Sequence, residues 1–105
     1  MAVVVIIEFP GGTEEMYEAV NAQLGVPDEW IPDGLIAHSA GPIDDGFRVI
    51  DIWRSAEDFE SQIPPKIIPK IAEFAEAAGV AAPEPEISIE PLVDVFSQES
   101  EAVLA

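Results

Sequence analysis

The chain contains no cysteine. That excludes disulfides, thiol catalysis and cysteine-ligated zinc, and makes a cytoplasmic location the simplest expectation. His38 is the only histidine, and one imidazole cannot build a multi-imidazole metal site. Basic residues number 4 against 21 acidic ones, for a formal net charge of −17. Such a surface repels phosphate backbones and anionic bilayers, so neither nucleic acid nor a membrane is an expected partner. The bland role of the charge is solubility. No run approaches the about 20 apolar residues that a membrane span requires. The apolar start, Met1 to Ile7, has no basic stretch and meets Glu8 and Pro10 too soon for a signal peptide. No Gly-rich phosphate loop, zinc spacing or nucleophile elbow occurs. Asp44-Asp45, and Asp28-Glu29 with Asp33, are acidic loop clusters without EF-hand spacing and read as solvated turns. No metal and no cofactor is therefore expected.

What is present is enough apolar material for one domain: 49% of 105 residues are hydrophobic. The periodicities predict strands over Ala2–Phe9, Leu35–Ile43, Phe47–Trp53 and Ile87–Phe96. Helices are predicted over Thr13–Leu24 and, interrupted by prolines, Ser55–Ala78. Strand-helix-strand-strand-helix-strand is the split βαβ plan of an α+β, ferredoxin-like domain. That domain is expected to span 1–96, with a short acidic tail over 97–105. The first strand is apolar on both faces: Val3, Val5, Ile7 and Phe9 alternate with Val4 and Ile6. One layer of helices covers one face of a sheet, so the other face calls for a partner, and a homodimer is expected.

The central hairpin fixes the geometry of any site. Asp45-Gly46 is a strong type I′ turn signal, and with it His38 faces Trp53. With Asp44-Asp45 as the turn, His38 faces Asp51 instead. Either two-residue turn places His38, Asp51 and Trp53 on one face. Leu35, Ala37, Ile50 and Ile52 then fall on the other, the face expected to meet a partner sheet. His38 is the natural acid or base, because imidazole changes charge near neutral pH. Asp51 can orient it, and Trp53 can wall a pocket. Tyr17, on the first helix beside Met16, reaches a ligand if it turns inward. Val5 or Ile7 would complete the apolar border. The competing reading makes His38 a hydrogen-bonded sheet residue, Asp51 a buried polar group and Tyr17 a rim residue of the core.

Val26–Gly34 (VPDEWIPDG) reads as a loop, yet it carries Trp30 and Ile31, which either tuck over the core or line a pocket mouth. Ser55-Ala56-Glu57-Asp58 resembles a capping box, with Phe59 and Ile63 buried behind it. Pro64-Pro65 is expected to stop that helix. Ile67, Ile71, Phe74 and Ala78 form the apolar face of the segment after it. Pro91 marks the last strand as an edge strand or a bulged one.

Three local features carry a family resemblance. The opening strand runs into Pro10-Gly11-Gly12 and a helix; Gly34-Leu35-Ile36-Ala37-His38 enters a hairpin; Val49-Ile50-Asp51-Ile52-Trp53 runs into Ser55-Ala56-Glu57-Asp58-Phe59. With these the chain resembles the dimeric α+β barrel superfamily, which includes antibiotic-biosynthesis monooxygenase-like proteins and small polyketide cyclases. The resemblance spans Val3 to Phe96. It implies two ferredoxin-like subunits pairing their sheets into a barrel, each with an apolar pocket between sheet and helices. The haem-degrading members use an asparagine on the first strand and a histidine on the later helix. This chain has neither, so the resemblance implies no haem. The cyclase-like members pair a tyrosine with a histidine, and this chain has one of each, Tyr17 and His38.

Three function classes follow. The first is a small cofactor-free enzyme of the monooxygenase-like or cyclase-like kind. It would act on an apolar, aromatic or polyketide-like molecule, with His38 in proton transfer, Asp51 and Tyr17 beside it, and Trp53, Trp30, Val5 and Ile7 around the ligand. The second is a non-catalytic small-molecule-binding or stress-related dimer. The third is a structural module with a filled core. Pocket volume separates the third from the others, and a polar pair inside an apolar cavity favours the first.

Overall fold

A computed structural model describes residues 1–96. The tail expected over 97–105 lies outside the described residues. Seven elements follow in order: β1 (Val3–Pro10), α1 (Glu14–Leu24), β2 (Leu35–Ile43), β3 (Gly46–Trp53), α2 (Ala56–Gln62), α3 (Pro64–Ala78) and β4 (Glu86–Pro91). The four strands form one sheet in the order β2-β3-β1-β4, antiparallel at every pairing. This is the ferredoxin-like α+β arrangement.

Local chemistry sets the helix ends. Thr13 Oγ1 accepts from the Met16 amide at 3.1 Å, and Ser55 Oγ accepts from the Asp58 amide at 3.1 Å. Acidic side chains fill both first turns, where the helix dipole favours them. Pro64 and Pro65 open α3 instead of merely stopping α2: a first-turn proline loses no helical hydrogen bond. On α3 the deeply buried residues are Ile71 and Ala75, while Ala78, expected inward, is exposed.

Alternation along β1 and β3 divides the sheet. Val3, Val5, Ile7 and Phe9, with Phe47, Val49, Asp51 and Trp53, face the helices and are buried. The opposite face presents Val4, Ile6, Ile50 and Ile52, all half-buried in the single chain. At the centre of the core, Trp53 meets Phe59 of α2 edge-on, with ring centroids 5.7 Å apart at 72°.

One choice the sequence leaves open and one departure from it have identifiable causes. The hairpin turns at Asp44-Asp45, closing on an Ile43–Gly46 pair, and Asp45 takes the positive φ of 62°. Gly46 serves a different need: a Cβ there would lie 2.4 Å from the Phe9 carbonyl oxygen, so the third strand can approach the first only through glycine. The last strand ends at Pro91 and not at Phe96. Pro91 pairs with Val3, where β1 begins, and beyond it only the Leu92 amide still donates, to the Ala2 carbonyl at 2.8 Å. The ladder stops because its partner runs out.

Candidate active site

β2 and β3 are in the register that sets His38 directly opposite Asp51. His38 Nδ1 lies 2.6 Å from Asp51 Oδ1. Trp53, two residues along β3 and so on the same face, donates from Nε1 to Asp51 Oδ2 at 3.2 Å. From α1 above the sheet, the Tyr17 hydroxyl reaches His38 Nε2 at 2.5 Å. The Tyr17 and His38 rings are within 7° of parallel, and Phe47 packs against the tyrosine ring at 4.9 Å. Asp51 is buried, its side chain only 7% exposed, whereas that of His38 is 33% exposed.

Donor and acceptor inventory fixes the direction of this chain. Indole Nε1 can only donate, so Asp51 Oδ2 accepts. A carboxylate accepts on its second oxygen as well, so His38 Nδ1 carries the proton. In the neutral imidazole Nε2 is then an acceptor, and the Tyr17 hydroxyl donates to it. The phenolic proton is committed to His38, which leaves Tyr17 Oη as an acceptor, shared between Asn21 and a ligand. Every buried polar side-chain atom among the described residues has a partner, as a network of this kind requires.

This polar chain lies in a cavity of about 410 Å³ between sheet and helices, a size within the usual range for small-molecule sites. Its floor is Ile7, Val49 and Trp53, its far wall Ile63, Ile67 and Ile71, and its remaining lining is almost wholly apolar. Of the residues expected there, Tyr17, Trp30, His38, Asp51, Trp53 and Ile7 all line it. Val5 does not. It is completely buried in the core on the same face of the sheet, paired with Asp51 across β1 and β3. Trp30 stands in the loop at the mouth beside Ile31, so that loop lines the pocket.

Among the lining residues that the sequence does not place at the pocket, Leu35, Phe47 and Asn21 are the most instructive. Leu35 was assigned to the opposite face, but a bulge between Leu35 and Ala37 shifts the register and sets Leu35 against Trp53, on the pocket side. Phe47 carries only a strand signal in the sequence and lines the cavity in the structure. Asn21 had a usable signal: it lies four residues after Tyr17, on the same helical face. Among the described residues no group of three metal-ligating side chains is gathered anywhere.

Burial pushes the Tyr17 hydroxyl above its ordinary value of 10.0. The Asp51 charge adds to that rise, and Asn21 opposes it. A raised acid favours the neutral form in the fold. Its contribution to stability is complete below the unfolded value and lost as pH climbs through the folded one. Tyr17 is the only tyrosine, so tyrosinate absorbance reads it alone. The native protein should titrate above the value of the unfolded chain, and Tyr17→Phe should remove part of the alkaline destabilisation.

No protein-family model and no curated protein matches the chain. Solved structures do. SnoaB from Streptomyces nogalater, a cofactor-independent oxygenase, is 16% identical with a TM-score of 0.53, the match covering 92% of this chain and 97% of that one. Rv0793 from Mycobacterium tuberculosis is 16% identical with a TM-score of 0.57, covering 92% and 100%. A protein from Chloroflexus aurantiacus ascribed to the antibiotic biosynthesis monooxygenases is 17% identical with a TM-score of 0.56, covering 92% and 98%. The chain has the fold these structures share, that of the antibiotic biosynthesis monooxygenase-like proteins.

Proposed function

We propose that this protein is a small cofactor-free enzyme of the monooxygenase-like or cyclase-like kind, acting on an apolar aromatic or polyketide-like molecule. The observation that carries the reading is the one-way chain Asp51–His38–Tyr17 at the polar end of an otherwise apolar cavity. A ligand bearing an acidic O–H or activated C–H gives its proton to Tyr17 Oη while the tyrosine proton passes to His38 Nε2. The bond to the ligand proton breaks, its electron pair stays on the ligand, and the imidazolium formed faces Asp51. The ligand anion, held by the Tyr17 hydroxyl, then takes one of two courses. In the first its carbon adds dioxygen, the reduced oxygen takes back the proton from His38 as a hydroperoxide, and loss of water with the second hydrogen of that carbon leaves a carbonyl. In the second its carbon closes on the ligand's own carbonyl, and the alkoxide formed takes back the proton. The fold shared with a cofactor-independent oxygenase supports the first course.

Incubation with hydroxylated tricyclic aromatics and their open-chain polyketide precursors, in air and under argon, tests this. Consumption of oxygen with product formation supports the oxygenase course, and product under argon supports cyclisation. Tight binding with no product in either atmosphere contradicts the enzyme reading and favours a binding protein.

The same reading includes a cytoplasmic homodimer joined through the open sheet face. Val4, Ile6, Ile50 and Ile52 form its apolar centre, with Glu8 and Arg48 opposite one another in register beside them. No described helix is long and apolar enough to cross a membrane. Sedimentation at micromolar concentration should give a dimer, and Ile50→Glu should give a monomer, because a desolvated carboxylate at such an interface has no partner. A stable wild-type monomer would contradict this assembly.

A further inference from the structure

We propose that the loop from Gly25 to Gly34 is the gate of the cavity, and that Gln62 and Lys66 are the latch that holds it shut. The proposal rests on the reading of the cavity as a ligand site. Five residues of the loop, Val26, Pro27, Trp30, Ile31 and Pro32, line that cavity. The loop's own backbone hydrogen bonds are local except at its last residue, where the Gly34 carbonyl accepts from the Arg54 amide at 2.8 Å. The Val26 amide donates to Asn21, those of Glu29 and Trp30 donate to Gly25, and that of Leu35 to Pro32. Among the described residues, no backbone bond ties positions 26–31 to the sheet or to α2 and α3; only the end of the loop is tied, where the Pro32 carbonyl accepts from the Leu35 amide at the start of β2.

Side chains from α2 and α3 do that work. Gln62 makes a reciprocal pair with the Asp33 backbone: its Nε2 donates to the carbonyl at 2.7 Å, and its Oε1 accepts from the amide at 3.0 Å. Lys66, one turn further along the helical segment, sets Nζ 4.3 Å from the centroid of the Trp30 ring. Lys66 forms no ion pair with a carboxylate among the described residues, although the chain is strongly acidic. Arg54 and Lys70 each do. At its far end the loop is seated by Gly34, which has a φ of +88° and would bring a Cβ within 2.5 Å of Asp58 Oδ2. Beyond the latch, Ile31 is 62% and Ile36 42% exposed, leaving an apolar lip around the opening. Two exposed polar attachments on a loop with no ladder of its own are the construction of a segment that opens locally while the rest of the fold stays closed.

Two measurements on the full chain test the gate. The first is amide hydrogen exchange of wild type, Gln62→Leu, Lys66→Met and the double variant. The second is stopped-flow binding of the neutral fluorophore N-phenylnaphthylamine. In the double variant, exchange over the loop should accelerate about tenfold while β1 and β3 are unchanged, and the entry and escape rates of the dye should rise together by about tenfold, with affinity altered less than about threefold. Lys70→Met, on α3 but outside the cavity lining, should leave both entry rate and loop exchange as in wild type. Unaltered loop exchange, or unaltered entry and escape rates with binding intact, would overturn the gate. Failure of the dye to bind any of the proteins, with loop exchange accelerated as expected, would count instead against the ligand site beneath it.

Discussion

Asp51→Asn should leave the protein folded and cost it about 10²–10⁴-fold in turnover, the range by which positioned proton transfer accelerates reactions. The substitution changes no volume, and asparagine can still accept from Trp53 Nε1 through its carbonyl oxygen. Its amide, however, then points at His38 Nδ1 and donates to it. The imidazole is driven to carry its proton on Nε2, facing Tyr17, and the relay runs backwards: His38 donates to the tyrosine and can no longer take its proton. Wrong-tautomer variants of hydrolytic triads lose activity for this reason with their geometry intact. Kinetics beside chemical denaturation reads the two effects separately. Turnover within about threefold of wild type would mean that the proton does not travel this route.

Trp53→Ala should have the largest effect on stability, a loss of about 3–5 kcal/mol. The side chain is completely buried, packs edge-on against Phe59 and floors the cavity. Its removal deletes that packing and also leaves Asp51 Oδ2 without a donor. Against the roughly 5–15 kcal/mol that holds a domain of this size together, most of the margin would go. Trp53→Phe separates the two contributions, because it keeps most of the ring and loses only the N–H and the second ring. Denaturant unfolding should rank wild type, Trp53→Phe and Trp53→Ala in that order. Equal stabilities for the two variants would mean that the packing contributes nothing beyond the hydrogen bond.

How much of this was legible follows from which signals are local. The alternation of Val3 to Phe9 and of Phe47 to Trp53 carries the division of the sheet into two faces, because side chains in strands alternate whatever the tertiary context. The same period placed His38, Asp51 and Trp53 together before their partners were known. The choice between the two turns was not local. Gly46 is an attractive turn glycine from its neighbours alone, and only the approach of the Phe9 carbonyl explains why it lies in the strand instead. The bulge that brings Leu35 into the cavity leaves no trace in composition. The end of β4 depends on where β1 begins, a residue nearly ninety positions away in the sequence. The meeting of Tyr17 with His38 depends on how α1 crosses the sheet. Single residues of each kind made the pair conspicuous, but not its geometry. Val5 shares the face of Ile7 but packs inside the core and not along the cavity, since periodicity tells face and not which neighbours close over a residue.

The central claim is the direction of the proton chain, and His38 being the only histidine makes it directly measurable. Nitrogen-15 labelling of the imidazole and a long-range proton–nitrogen correlation spectrum, recorded near neutral pH, distinguish a protonated ring nitrogen from a bare one. The expected spectrum shows one tautomer, with the proton on Nδ1 facing Asp51 and a bare Nε2 facing Tyr17, and the reverse in Asp51→Asn. A wild-type imidazole with its proton on Nε2, or one averaging between the two tautomers, would contradict it.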